Sequence, residues 1–392
     1  MQVLLAYPHL GLVSISGHEP DIPFEQPPFI PTQRLWRLEC PAHLRFECLK
    51  PETLWALPRD GDDSVRRPVP GLEQSCCWKL INPGDDATAA KLRSEFLASQ
   101  SIRRLCLTID AGVGKTVAMQ QTQYLRQTGE NRNALAVLVE FAKLDRLNGD
   151  ASQFLGVNDA AVDHPGQVPL LIDALRDNPA TRELEARQAR RLLERLIRSD
   201  RFTLLVDALD QSVDFDNSRR ACEALTKFLN RYPQVRCVVS GRPFAIRRYW
   251  EELLAHDESW QFVMVDVFRP LECATYLESE RMKELERLGA DVIAIPRTLQ
   301  MIQEIPFAEL RTLRSKGDVY RAALDGMLAK ALRKMPKDVR LATGKAKILF
   351  SLVAFEMLRA GKRAGAAGIR DDKERAAFVA DVRQRHRSRL NN

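Results

Sequence analysis

Leu105-Cys106-Leu107-Thr108-Ile109-Asp110-Ala111-Gly112-Val113-Gly114-Lys115-Thr116 is the stretch that decides the fold. A short apolar run reads as a buried strand, a glycine loop follows, and Lys115-Thr116 opens a helix. Gly112 and Gly114 permit positive φ, so backbone N–H groups can turn inward around a phosphate. The helix N-terminus adds its partial positive charge. Lys115 has the reach to meet β- and γ-phosphates, and the Thr116 hydroxyl is a ligand for Mg²⁺. The full pattern begins with glycine four residues before Gly114's neighbour Val113, where this chain has Ile109. The loop entry therefore has to use a conformation open to a β-branched side chain.

Around this loop, apolar runs alternate with helical patterns. A helix is expected over 87–100, another from Thr116 to about Gln127, and further runs at Ala134–Phe141 and Phe202–Val206. A charged helix is expected over Pro179–Ser199 and another over Ser218–Arg231, followed by a fourth run at Val235–Ser240. Strands that are continuously apolar, interleaved with helices, predict an α/β class domain with a parallel sheet covered on both faces, over about 87–270.

The run Leu204-Leu205-Val206 ends in Asp207, which places that carboxylate at the C-terminal tip of a buried strand, where ligands of parallel sheets bind. A hard cation wants carboxylate oxygen, so Asp207 is the second candidate for Mg²⁺. Asp210 follows one short turn later. It is placed either to orient or deprotonate an attacking water, or to cap the turn.

Outside this domain the reading is coarser. Eleven of the 21 prolines fall between Pro8 and Pro70, so residues 1–86 read as an extended or β-leaning region of unknown role. Within it, Leu35–Cys40 and Leu44–Leu49 alternate as half-buried strands do, and residues 1–15 read as a short apolar strand. Beyond Pro270 helices are expected over Leu271–Leu288, Thr298–Ile305, Val319–Arg333 and Lys345–Arg359, then a basic helix or tail. No internal repeat is evident.

The composition excludes several classes. No apolar stretch is long enough to span a bilayer, and the start lacks the basic lead of a signal peptide, so a cytoplasmic setting is expected. None of the eight cysteines forms a C-x-x-C pair or sits by a zinc-spaced histidine pair, so buried reduced thiols are expected. The net charge is +7, yet Arg359–Asn392 carries ten Lys/Arg against four Asp/Glu. The excess therefore lies in the tail, which argues against a nucleic-acid face spread over the body.

Taken together, these motifs resemble the STAND class of P-loop NTPases, and most closely its NACHT branch, nucleotide-operated switches of defence and cell-death signalling. The resemblance runs from Leu105 to Arg359. Ala111 to Thr116 resembles the family's phosphate loop, with Asp110 leading into it. Asp207-Ala208-Leu209-Asp210 resembles its Mg²⁺ strand, with a small residue after the first Asp. Val238-Val239-Ser240-Gly241-Arg242-Pro243 resembles its sensor strand, which implies that Arg242 faces the γ-phosphate; the alternative is a surface Arg in a strand-end turn. Phe268-Arg269-Pro270-Leu271 resembles the junction into a helical subdomain (271–344). Ile295-Pro296 resembles the proline beside the adenine, although a helix-start proline fits as well. Leu352–Met357 resembles the opening of a winged-helix region (345–392).

The resemblance implies ATP or ADP (or GTP) with Mg²⁺ as cofactors, slow hydrolysis as a signalling ATPase, and self-association or a protein partner. Gln211 stands where many relatives have a second acid, which implies slow turnover. The winged-helix part is short and no sensor repeats follow, which implies a partial member. Two other functions compete. One is a DNA-associated AAA-type ATPase, using Arg383, Arg385, Arg387 and Arg389, although such a tail is more often a solvated charge run. The other is a nucleotide-binding remnant that does not hydrolyse.

Overall fold

The structure is a computed structural model. It describes residues 34–50, 53–54, 65–84, 87–99, 101–109, 112–128, 135–141, 171, 186–198, 200–211, 215–268, 273, 277–288, 295–303, 305–334, 343–359 and 372–386. The expected strand in residues 1–15 lies outside them. Contacts divide the chain into two compact units, Met1–Asp266 and Val267–Asn392.

The first unit is built on one eight-stranded sheet. Its strands are β1 (Leu35–Glu39), β2 (Arg66–Pro68), β3 (Cys77–Leu80), β4 (Arg104–Thr108), β5 (Leu135–Glu140), β6 (Phe202–Asp207), β7 (Arg236–Gly241) and β8 (Gln261–Val265). Their spatial order is β2-β3-β1-β8-β4-β7-β6-β5. From β8 to β5 every neighbour is parallel, whereas β8, β1, β3 and β2 pair antiparallel. All residues of β4, β6 and β7 are buried, as continuous apolar runs require when both faces of a parallel sheet are covered.

The faces can be told apart by alternation. Phe202, Leu204 and Val206 share a core with Val137, Val139, Cys237 and Val239. That face is covered by α4 (Ala186–Arg198), through Leu192, Leu193, Leu196 and Ile197, and by α5 (Phe215–Arg231), through Leu225 and Phe228. The opposite face carries Thr203, which accepts a hydrogen bond from Arg126 of α3 (Lys115–Thr128) at 2.9 Å. Arg126 also donates to the carbonyls of Leu97 and Ser99 at the end of α2 (Ala87–Ala98), so one buried guanidinium joins two helices and the sheet. Burial, and the neighbouring charge of Arg236, bring its pKa down to about 10.

The expected elements of the α/β region are present within three residues of the boundaries read from sequence, the largest difference being at the start of α5; for the charged helix the described part is Ala186–Arg198. Two features of the fold were not read. β8 is a fifth parallel strand, next to β4. The described part of residues 1–86, moreover, does not stand apart but extends the same sheet through β1, β3 and β2. The junction is fastened by Asp266, which accepts from Trp36 Nε1 at 3.0 Å and pairs with Arg67 at 3.1 Å. Arg67 lies 3.8 Å from the Trp36 ring centroid, a cation–π contact in a dry setting.

Leu44–Leu49 is not a strand, contrary to the expectation. Ala42–Leu44 forms a single 3₁₀ turn and Arg45–Cys48 the short helix α1. Pro41 fixes the entry to that turn, and Leu44 and Cys48, four apart, fall on one side of it, so the six-residue alternation fitted a helix as well.

In the second unit the described residues form helices: α7 (Ser279–Leu288), α8 (Pro296–Gln303), α9 (Phe307–Leu310), α10 (Lys316–Lys334), α11 (Thr343–Arg359) and α12 (Asp372–Arg385). In the first unit, α6 spans Pro243–Arg248. Arg281 of α7 donates to the carbonyls of Ile302 and Ile305, and Lys347 of α11 pairs with Asp325 of α10. Described residues of the expected winged-helix segment are α11 and α12. Glu356 of α11, 4% exposed, is paired at 3.0 Å with both Arg385 and His386. The described part of the basic tail, residues 372–386, is thus a docked helix; Arg387 and Arg389 lie outside the described residues.

Candidate phosphate and metal site

The site forms where β4, β7 and β6 end side by side. Leu107 is opposite Ser240 and Thr108 opposite Gly241 across β4 and β7, while Val206 is opposite Val239 across β7 and β6. This register delivers the glycine loop, Ser240 and Asp207 to one edge of the sheet, the C-terminal edge at which parallel sheets present ligand-binding groups.

Gly112 and Gly114 have φ of +80° and +101°. An L side chain adopts those values only under strain, which is why the loop needs glycine at both places. Ile109, in place of the first glycine of the full pattern, is fully buried, and its N–H donates to the Gly241 carbonyl at 3.0 Å. The loop's entry is therefore anchored to β7. α3 begins at Lys115, so the unpaired N–H groups of its first turn lie directly after the loop. Asp110 and Ala111 lie outside the described residues.

Two carboxylates face this turn. Asp207, 3% exposed, accepts from Thr116 Oγ1 at 2.7 Å on one oxygen and from Ser240 Oγ at 2.6 Å on the other. Ser240 Oγ in turn accepts from the Ala208 N–H at 3.0 Å. Ala208 has φ of +62°, which a non-glycine residue holds at a cost of order 1–3 kcal/mol when its surroundings impose it. The turn it makes directs Asp210 back toward the loop. Asp210, with its side chain 3% exposed, pairs with Lys115 Nζ at 3.0 Å and Arg242 Nε at 3.0 Å, and also accepts from the Arg242 N–H at 3.3 Å. Arg242 is extended (φ −74°, ψ 154°), as a residue before proline prefers, and Pro243 occupies the first turn of α6.

The structure thus brings together Gly112, Val113, Gly114, Lys115, Thr116, Asp207, Asp210 and Arg242 from three separate segments. Asp210 is more than a turn cap, since it bridges two cations. Pro296 belongs to the second unit, where it starts α8 and is half-buried. Ser240 is the site residue that sequence reasoning did not select. It lies in the stretch that resembles the sensor strand, but a serine in an apolar run carries no signal until the strand beside it is known.

The donor set fits Mg²⁺. An octahedral ion at about 2.0–2.1 Å from each ligand puts adjacent oxygens about 2.9 Å apart. Thr116 Oγ1 and Asp207 Oδ2, at 2.7 Å, are already near that spacing, and Ser240 orients the carboxylate from behind as outer partners of metal ligands do. When bound, the ion would neutralise charge on phosphate oxygens. Lys115 and Arg242 hold two positive charges against a single Asp210 carboxylate.

No family model matches the chain, and no curated protein matches it. Among solved structures the chain is similar to Drosophila ORC bound to DNA, at 14% identity, covering 96% of this chain and 84% of that one, with a TM-score of 0.34. It is similar to Aeropyrum pernix ORC1 in complex with DNA at 14% identity, covering 81% and 76%, with a TM-score of 0.33. For C. elegans PCH-2 the values are 12% identity, 76% and 70% coverage, and a TM-score of 0.28. At such TM-scores the likeness carries no argument about activity, and the chain's own geometry has to. The sheet, its glycine loop and the acid at the tip of β6 make this the fold of a P-loop NTPase.

Proposed function

We propose that this chain binds ATP (or GTP) with Mg²⁺ and hydrolyses it slowly, as a signalling switch of the STAND type, closest to the NACHT branch. The observation that carries this reading is the pair of linked contacts Thr116–Asp207 and Lys115–Asp210–Arg242. Thr116 and Asp207 would hold the ion. The loop amides and Lys115 would take the β- and γ-phosphates, and Arg242 would report the γ-phosphate. Asp110, Ala111 and Pro296 keep the nucleotide-contacting roles that the resemblance implies.

The network also supplies the logic of a switch. With no phosphate present, Asp210 satisfies both cations. A triphosphate would take Lys115 and Arg242 and free Asp210 to orient water, whereas a diphosphate would take Lys115 alone. A ligand shifts a conformational equilibrium only by its differential affinity for the two states, and Arg242 is the group on which the two nucleotides differ. Gln211, following Asp210, supplies no second acid, consistent with slow turnover.

The test is the affinity of the full chain for ATP and ADP, with and without Mg²⁺. Lys115→Ala is expected to weaken both at least about tenfold, the scale of one lost charge-assisted contact. Unchanged binding of both would end the proposal. Measuring turnover with and without duplex DNA separates this reading from a DNA-associated ATPase, for which DNA would raise the rate.

A further inference from the structure

A second chemical cluster lies in the N-terminal strands, and the phosphate site does not use it. Cys40 follows β1, Cys48 ends α1, and Cys76 immediately precedes β3. β1 and β3 pair antiparallel with Glu39 opposite Cys77, which sets the residue after one strand near the residue before the other. The turn at Pro41 and the short helix α1 then fold the chain back and deliver Cys48 to the same point. The three Sγ atoms all lie within 4.8 Å of one another. Cys48 and Cys76 are buried and Cys40 is half-buried; none is in a disulfide.

We propose that Cys40, Cys48 and Cys76 form a site for a thiophilic cation of the Zn²⁺ class, bound as three thiolates. The fourth position would open on the Cys40 side and take water or a small thiol. Three separate segments converge on it, which packing of isolated thiols in a core does not require. Zn–S bonds of about 2.3 Å in a tetrahedron set sulfurs about 3.8 Å apart, so closure onto an ion needs shifts of about 1 Å or less. The charge is also provided for. Three thiolates on a divalent ion leave one excess negative charge, and the Arg45 guanidinium stands beside Cys40. On binding, three thiols would lose their protons to solvent, so affinity would fall in acid. The ion would staple β1, α1 and β3, the elements that fasten the N-terminal strands to the sheet.

The experiment uses the full chain, purified with reductant and without chelator. Metal content is measured by mass spectrometry, and chelator-stripped protein is titrated with Co²⁺ as the probe. The expected result is about one zinc per chain and, on titration, the sulfur-to-cobalt charge-transfer and visible bands of a tetrahedral thiolate site. Cys40→Ser, the half-buried position and so the one most tolerant of change, should weaken Co²⁺ binding about tenfold or more. Cys77→Ser should leave it unchanged, because Cys77 Sγ instead accepts from Arg66. Reduced protein with neither zinc nor the thiolate bands at excess Co²⁺ would overturn the proposal. So would a disulfide within the trio in protein alkylated at harvest.

Discussion

Asp210 is the residue on which opposing demands meet. It is nearly buried and answers two cations, so the site is held by an ion-pair network that, on the proposed function, phosphate would displace. Asp210→Asn removes the competitor and leaves Lys115 and Arg242 uncompensated. Such a change is expected to lower the melting temperature of the nucleotide-free chain. It should leave ATP affinity equal or tighter while cutting turnover on the order of a hundredfold, the typical share of a positioned general base. Calorimetry and steady-state turnover on the same preparation check all three; a variant with weaker ATP binding would deny Asp210 the role of competitor. At this scale the sequence was informative wherever chemistry is local. Gly112, Gly114, Lys115 and Thr116 announce themselves by spacing, and Asp207 by its apolar run. Ser240 does not, because its role comes from β7 lying beside β6, and chain order alone cannot say which strands are neighbours.

At the scale of elements, strands and helices were legible where they are long and periodic, as in α3, α5, β6 and β7. Leu44–Leu49 misled because six residues do not separate a period of two from one of 3.6. The convergence of Cys40, Cys48 and Cys76 was hidden for a related reason, since no short spacing encodes it; the antiparallel pairing of β1 with β3 and the turn into α1 create it together. The weight that a single element junction can bear is shown by Arg126, whose guanidinium ties α3 to Thr203 on β6 and to the end of α2. Arg126→Met would fill the space with an apolar chain but leave the Thr203 hydroxyl and two carbonyls short of a donor. The expected cost is roughly 2–3 kcal/mol, read as a lower midpoint in denaturant with an unchanged slope. A variant as stable as the parent would show that the buried charge costs as much as its hydrogen bonds return.

For the molecule as a whole, the deep thiols set an alkaline limit. Burial raises the Cys106 thiol well above the ordinary value of 9.0 and brings Cys237 up to about 12. A thiol whose folded pKa is raised stabilises the fold fully below its unfolded value, because both states then keep the proton. Above about pH 9 the unfolded chain releases protons that the folded chain retains, so stability falls, by about 1.4 kcal/mol per pH unit for each such thiol. Urea titrations between pH 8 and 10.5 should therefore show stability dropping from about pH 9 upward. In Cys237→Val that drop should be shallower, and an identical pH profile would mean that Cys237 ionises as freely folded as unfolded. The strand β2 has a different bearing on the molecule's fate. It is the outermost strand on its side of the sheet, three residues long, and reads Arg66-Arg67-Pro68. Proline offers no N–H to an incoming chain, and arginine resists being stacked against its own kind, so this margin is a poor template for another strand. Without the N-terminal strands, the margin would instead be β8, Gln261-Phe262-Val263-Met264-Val265, uncharged and mostly apolar, which is the composition from which fibrillar association starts. The described N-terminal strands thus cover the apolar margin of β8 with one that is a poor template for a further strand.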